Sequence, residues 1–490
     1  MRVLLVVVAV LTSGCIDEAH RKLSTTPPTV DQRPPFLQIH MRDGQMFNLD
    51  TWTVHEQEKV IDGDGTRFST GRKDLGRGHF TIKMSDVALY STNTVESSPS
   101  VAGLAVVTGV SVAIGVACIL NPKSCFGSCP TFYAPDAAGK YVLQAEGFSD
   151  AIAPSLATHD RDALWRTTAG GPFTLRVTNE AYETHVIQGA DLIAIPHHDG
   201  ERIVADGEHY FAARLTEPTT CTASEGDCLT AVRALDTHER TSLTDEHDLA
   251  TREYIELTFP ATAGSKGIVI GARQSLVTTF LLYQGLAYLG NTVVDWLTTD
   301  LHSVNGQGMR SVVGGITVQV FADNTWRDVD EIYETGPLAT DVHFVALPDD
   351  GSRVRLQLPQ GGWRIDYIAE ASLDREVTPI RISPSKIRGV LGKEYSANRT
   401  PATAFPVITQ PGDAYELTYD LPAGPNELYL DSHGYYLEWM RKEWLAEQNP
   451  LAAIRMLASP ARAAKEFAPT FKKLEPQAET LFWKSRYAHP

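Results

Sequence analysis

Between residues 314 and 373 the chain alternates apolar and polar residues, most clearly in ITVQVF, VRLQL and WRIDYIA. A period of two puts successive side chains on opposite faces of a strand, so one face can be buried while the other stays wet. An amphipathic helix would need a period near 3.6, which these runs lack. Asp349-Asp350-Gly351 and the stretch from Pro359 to Gly362 punctuate the runs as turns. Residues 310–420 are therefore expected to form a β-sandwich.

The same signal recurs upstream. FLQIHMRDGQMFNLDTWTV reads as two strands around Arg42-Asp43-Gly44, and KVIDGDGTRF as a hairpin turning at Asp62 to Gly65. The Asp-Gly-Asp-Gly run lacks the later bidentate glutamate of a helix–loop–helix calcium loop, so a turn is expected there instead of a calcium site. Residues 36–98 should make a small β-barrel or roll. Residues 121–300 read as a second β-rich domain, with strands in PFTLRVTNEAYETHVIQGADLIAIP and an apolar helix over 275–299. From residue 425 to 490 the pattern turns helical, with breaks expected at Pro450, Pro460 and Pro469 and an aromatic stripe of Tyr436, Trp439, Met440 and Trp444. The fold class is thus mainly β with helical additions: a small N-terminal β-barrel or roll, one or two β-sandwich domains and a helical C-terminal tail.

Residues 101–120, VAGLAVVTGVSVAIGVACIL, contain no charge. Twenty helical residues reach about 30 Å, enough for a bilayer core. A crossing would put the later cysteines in the cytosol, whereas their spacing suits an oxidising compartment. A buried or membrane-dipping apolar helix is expected in preference to a span.

The chain opens MRVLLVVVAVLTSGC, with Arg2 as a positive n-region, an apolar run too short to span a bilayer, and small residues before Cys15. This order resembles the signal of bacterial lipoproteins, in which a peptidase removes residues 1–14 and the sulfur of Cys15 carries diacylglycerol. An ordinary cleaved signal with a chance cysteine is the competing reading. Each buried lipid methylene contributes about 0.8 kcal/mol to membrane attachment. Residues 15–35 are polar and hold four prolines, as expected of a lipidated tether. The resemblance implies export and anchoring to the cell envelope, at the outer membrane or the periplasmic face of the inner membrane. A formal charge of −17, from 60 acids against 43 bases, argues against a nucleic-acid partner.

Six cysteines remain to be placed. Cys125 and Cys129 in SCFGSCP admit four readings: a local disulfide, a zinc pair, a dithiol redox centre, or the Cys-x3-Cys-Pro motif of copper chaperones of the thioredoxin fold. Zinc wants further ligands at like spacing, and a redox dithiol wants Cys-x-x-Cys opening a helix. The copper motif wants a strand before it and a helix after it, while here an uncharged helix precedes and a strand follows. A Cys125–Cys129 disulfide is the expectation, with Cu(I) at the same thiolates as the only metal candidate. Cys221 and Cys228 are expected to bridge a polar loop, adding about 2–3 kcal/mol. Cys118 is left as a buried thiol.

Catalytic signatures are missing from the sequence: it has no Gly-x-Ser-x-Gly elbow, no His-Glu-x-x-His and no phosphate-binding glycine loop. His197-His198-Asp199-Gly200 reads as a hairpin turn, because adjacent strand residues face opposite ways and cannot serve one ion. Trp326 is a candidate for stacking on a sugar ring, whereas Trp363, Ile365 and Tyr367 should share the core face.

SCPTFYAPDAAGKYVLQAEGFSDAIAPSL, RQSLVTTFLLYQGLAYLG, ETGPLATDVHFVALP with WRIDYIA, and HGYYLEWMRKEWL resemble a family of uncharacterised bacterial envelope proteins. In that family an apolar segment leads into Ser-Cys-Pro and a strand. Here Cys129-Pro130 takes that position and Cys125 is extra. The resemblance implies an exported β-rich body without assigned activity. The expected function is a non-enzymatic envelope lipoprotein with a binding or scaffolding role and no cofactor. Its partners would be the membrane, through the lipid, and other envelope proteins or glycans. The alternatives are carbohydrate binding and copper or thiol handling through Cys125 and Cys129.

Overall fold

The computed structural model describes residues 16–24, 37–69, 74–98, 129–136, 138–149, 151, 157–181, 183–260, 264, 266–289, 314–333, 336–348, 353–390, 403–438 and 449–484. Cys15, Cys118, Cys125 and the apolar run 101–120 lie outside them. The chain divides into two compact units, 1–111 and 112–490.

The first unit is one antiparallel sheet of six strands, in the order Ile16–Ser24, Val87–Ser98, Leu37–Met41, Met46–His55, Val60–Phe68 and Asp74–Lys83. The path stays open, so the expected barrel is a half-barrel over a core of Leu37, Ile39, Leu49, Trp52, Ile61 and Tyr90. Two expectations change here. Ile16–Ser24 is not tether but an edge strand, paired along its length with Val87–Ser98. Asp62 to Gly65 is not a turn but the middle of a strand; the chain turns at residues 56–59, with Lys59 at φ 56°. The glycines serve close approach: a Cβ on Gly65 would sit 2.0 Å from the Asn48 carbonyl oxygen, beside a bulge at Leu49–Thr51.

The second unit is a stack of four antiparallel sheets. The first holds Lys386–Val390, Ala414–Leu421, Gly171–Thr178, Thr131–Pro135 and Tyr141–Glu146. The second runs Ile380–Ile382, Glu183–Pro196, Asn426–Glu438 and Thr158–Thr168, with Val407–Thr409 also on Glu183–Pro196. Leu175, Val177, Leu417 and Tyr419 of the first sheet meet Leu192, Ala194, Leu428 and Leu430 of the second, all buried. This is a sandwich by alternation, each fully buried aliphatic side chain contributing roughly 1.5–3 kcal/mol.

The third sheet orders Arg202–Asp206, His209–Thr216, Trp363–Glu376, Lys266–Gln274 and Asp341–Leu347. The fourth orders Gly226–Asp227, Thr220–Ala223, Arg252–Thr258, Arg353–Pro359, Ile316–Ala322 and Thr325–Ile332. Ile268, Ile270, Ile365 and Ile368 of the third pack on Ile255, Leu257, Val318 and Leu356 of the fourth as a second sandwich. Ile193, Ile195 and Tyr429 of the second sheet lie against Ile203, Tyr210 and Ala212 of the third, joining the two sandwiches.

The sandwiches are nested, not consecutive. Residues 202–376 build the second one and interrupt the first, whose strands come from 131–196 and 380–438. The 310–420 block is accordingly divided among all four sheets. The turn expected at Asp349 to Gly351 lies outside the described residues, and the strands on either side of it, Asp341–Leu347 and Arg353–Pro359, belong to the third and fourth sheets; at Pro359 to Gly362 the chain crosses back to the third. Trp363 and Ile365 do face the core. A bulge opposite Gly271–Ala272 then turns Tyr367 to the other face, where it meets Trp165 at 5.9 Å between ring centroids.

Asn426–Glu438, expected as helix, is the strand between Glu183–Pro196 and Thr158–Thr168. Leu428 and Leu430 point into the first sandwich and Tyr429 to the opposite side, a period of two hidden in a polar stretch. Tyr436 therefore belongs to a strand, and Trp439, Met440 and Trp444 lie outside the described residues. The apolar helix expected at 275–299 is described as α1, Leu276–Leu289. The tail gives α2, Pro450–Ala458, and α3, Pro460–Lys484. Asn449 caps α2 by accepting the Ala452 amide, with Pro450 at the first position. Pro469 and Pro476 lie inside α3 without ending it. An internal proline costs about 3 kcal/mol, offset here by Ala464, Phe467, Phe471 and Leu474 packing on Val277, Phe280 and Leu281 of α1. Further along, Glu479 receives Arg364 at 2.9 Å and Arg273 at 3.1 Å, which ties α3 to the third sheet. Among the described residues no helix is long and apolar enough to cross a membrane.

Candidate functional site

The outer face of the fourth sheet is built by the same alternation that fills its core. Val318, Val320, Val354, Leu356, Ile255 and Leu257 point inward. Their neighbours Gln319, Phe321, Arg353, Arg355, Gln357, Tyr254 and Glu256 therefore point out. The hairpin pairs Phe321 with Trp326, and their rings meet edge to face at 5.2 Å. Arg353 lies 4.4 Å over the Phe321 ring and 5.5 Å from that of Trp326. Arg355 lies 4.1 Å over Trp326 and 4.7 Å over Tyr254. Cations and rings thus alternate across four strands as Tyr254, Arg355, Trp326, Arg353 and Phe321, each contact being worth about 0.5–1 kcal/mol at an exposed site.

Polar groups edge this row. Arg355 Nε donates to Glu256 at 3.1 Å, Gln357 Nε2 to the Tyr254 hydroxyl at 3.0 Å and Gln319 Nε2 to Asp328 at 2.7 Å. Tyr254 is 42% exposed. The candidate Trp326 is thus on the surface, as alternation requires, but the guanidinium of Arg355 occupies the side of the indole that a sugar ring would need. The same guanidinium lies over Tyr254, so a planar ligand stacks on the covered side of either ring only once Arg355 swings away.

The sulfurs divide. Cys221 and Cys228 are bridged, with Cα atoms 5.1 Å apart. Both sulfurs are buried in the core of the second sandwich, and the bridge clasps the polar, largely exposed loop Thr222 to Asp227, as expected. Cys129 is a buried free thiol donating to the Ser149 carbonyl at 3.6 Å, and Cys125, its expected partner, lies outside the described residues. Burial, and then the carboxylates of Glu146 and Glu183, push its thiol well above the ordinary range. Such a group is a poor nucleophile and a poor Cu(I) ligand, both of which need thiolate. Iodoacetamide should leave Cys129 unmodified in the folded protein and modify it in urea, read by peptide mass spectrometry.

A polar cluster with no signature in the sequence lies near Cys129. Glu180 accepts from Tyr133 at 2.6 Å, Thr178 at 2.7 Å and Thr131 at 3.1 Å, while His185 Nε2 meets Glu183 at 2.7 Å. All are buried. Thr131 and Tyr133 lie on one strand and Thr178 on another, and only strand pairing brings them together around Glu180. His197 and His198 fall where the chain leaves the second sheet for the third, His197 buried and His198 exposed, so they do not converge. Among the described residues no group of three or more His, Cys, Asp and Glu is arranged to hold a metal.

No protein-family profile and no curated protein matches the chain. Among solved structures, the secreted serine protease VesC from Vibrio cholerae aligns over 72% of this chain and 99% of that one, at 6% identity and a TM-score of 0.16. A likeness at that score carries no argument about fold or activity.

Proposed function

We propose that this protein is a non-enzymatic lipoprotein of the bacterial cell envelope, anchored through Cys15 and acting by binding or scaffolding. The observation that carries the proposal is the Cys221–Cys228 bridge set inside the core, because such bridges persist in exported proteins and are rare in the cytosol. The leader MRVLLVVVAVLTSGC supports the anchor. The binding role is supported by the outer face of the fourth sheet, which presents tyrosine, tryptophan and arginine, the side chains enriched at interaction hot spots. Feeding cells an alkyne-tagged palmitate should label the wild type and leave Cys15→Ser unlabelled and released from membranes. An unlabelled wild type with a reduced Cys221–Cys228 pair in the cell interior would overturn the proposal.

Carbohydrate binding is the second reading, favoured by Tyr254 and Trp326 lying on one exposed face among Gln319 and Gln357. A glycan array decides it. Binding lost in Trp326→Ala and strengthened in Arg355→Ala, which bares the indole, would establish it; no binding at millimolar sugar would remove it. The copper and thiol alternative loses support from the burial of Cys129.

A further inference from the structure

The second sheet carries a histidine pair where its edge strand, Thr158–Thr168, runs along Asn426–Glu438. His159 and His433 stand directly opposite each other in the register. Their rings stack, with centroids 4.5 Å apart and planes 10° from parallel.

Three features set the pair apart from ordinary packing. The first is orientation. His159 Nδ1 lies 2.8 Å from Asp431 Oδ1, and Asp431, with a side chain 3% exposed, is itself held by Arg381. An ionised carboxylate only accepts, so Nδ1 carries the proton and the lone pair stands on Nε2, on a side chain that is 66% exposed. The second is availability: His433 is half-buried, yet its ring nitrogens have no hydrogen-bond partner among the described residues. The third is the room made for it. Glu183–Pro196 is irregular between Ile187 and Gly189, and a Cβ on Gly189 would lie 2.7 Å from His433 Nδ1. Glycine admits the ring.

The geometry points to a binding site for one divalent transition-metal ion, copper(II), nickel(II) or zinc, chelated by His159 and His433. Directly opposite residues of an antiparallel pair have Cβ atoms about 4.5–5.5 Å apart. Two imidazoles can close that span on one ion, with metal–nitrogen bonds of about 2.0–2.1 Å. Closing means tilting the stacked rings, a movement open to the exposed His159. Asp431 is the outer carboxylate that orients a ligating histidine and raises its basicity. Arg381 engages both Asp431 and, at 3.2 Å, Asp191, so the protein offers the ion nitrogens and leaves the other positions to water. Imidazole ligands select these metals over calcium and magnesium, which take oxygen.

The test is titration of the full chain, in detergent and without an affinity tag, with copper(II) followed by electron paramagnetic resonance. Calorimetry with nickel(II), zinc and calcium accompanies it. One copper coordinated by two imidazole nitrogens is expected, with copper bound tightest and calcium unbound. His159→Ala and His433→Phe should each remove one nitrogen from the spectrum and weaken copper by at least about tenfold. The phenylalanine keeps a ring in the stack, so its effect is separable from loss of the strand pairing. Asp431→Asn, which leaves both ligands in place, should weaken copper by about tenfold or more. His209→Ala, which removes an exposed histidine paired with Glu376, should change nothing. No saturable binding of copper to the wild type would overturn the inference. So would a two-nitrogen spectrum that survives both histidine substitutions, because the ion would then sit on other residues.

Discussion

Arg240→Met is expected to destabilise the second unit by about 3–5 kcal/mol, the usual consequence of removing one partner from a buried ion pair. The Arg240 side chain is 2% exposed and grips Glu253, itself 3% exposed, with Nη1 at 3.0 Å and Nη2 at 2.8 Å. Its Nε and Nη2 also donate to Glu225 at 2.5 and 2.7 Å. Burial alone would disfavour the charge, yet the hydrogen bonds it donates to Glu225 and Glu253 hold the guanidinium pKa above its ordinary value. Without the cation, Glu253 keeps neutral donors in the Ser242 hydroxyl at 2.6 Å and the Ser224 hydroxyl at 3.4 Å. Arg240 also exchanges two backbone hydrogen bonds with Ile365, so the pair pins residues around 240 onto the third sheet. Urea unfolding measures the loss. Arg240→Met combined with Glu253→Leu should recover a large part of it, because no charge is then stranded. A double variant as unstable as the single one would show that the pair does not act as a unit.

The second large effect is Trp363→Ala, at about 3–5 kcal/mol. Trp363 is 1% exposed at the start of a third-sheet strand and fills the space between the third and fourth sheets. Its indole N–H reaches the Gly314 carbonyl at 3.4 Å, so truncation removes the ring and leaves that oxygen without this donor. Trp363→Phe, which keeps most of the volume, should cost less. A loss below about 1 kcal/mol for the alanine variant, read from the urea midpoint, would contradict the packing of these two sheets.

The elements of the fold were more legible than their assembly. Alternation in ITVQVF, VRLQL and WRIDYIA located the strands, because facing and burial are properties of a strand and its own neighbours. It could not say which sheet each strand joins. A turn such as Pro359 to Gly362 reads the same whether it folds a hairpin or arches from one sheet to the next, and here it arches. Asn426–Glu438 reads as helix because its aromatic residues run on into a helical-looking sequence; burial on both faces makes it a strand. Gly63 and Gly65 suggested a turn, although backbone proximity is an equal reason for glycine.

Sites followed the same division. Trp326 could be placed on the surface from the sequence. Arg353 and Arg355 could not be tied to it, since cross-strand neighbours are set by register between distant segments. Cys221 and Cys228 were close enough in the chain for their pairing to be legible. Cys129 stands as a free thiol in the core of the first sandwich, a burial its place in the sequence does not announce, and Cys125 lies outside the described residues. His159 and His433 come from strands far apart in the chain, and nothing local announces that they face each other.

The interrupted order of the strands sets a timetable for biogenesis. Thr158–Thr168 and Glu183–Pro196 emerge early, yet the strand that separates and pairs them, Asn426–Glu438, arrives only near the end. During synthesis their exposed edges would wait for almost the entire polypeptide, a state prone to mispairing. The inserted sandwich can mature meanwhile and bring the two halves of its host together, so a nascent chain stopped before residue 426 has a finished guest inside an unfinished host.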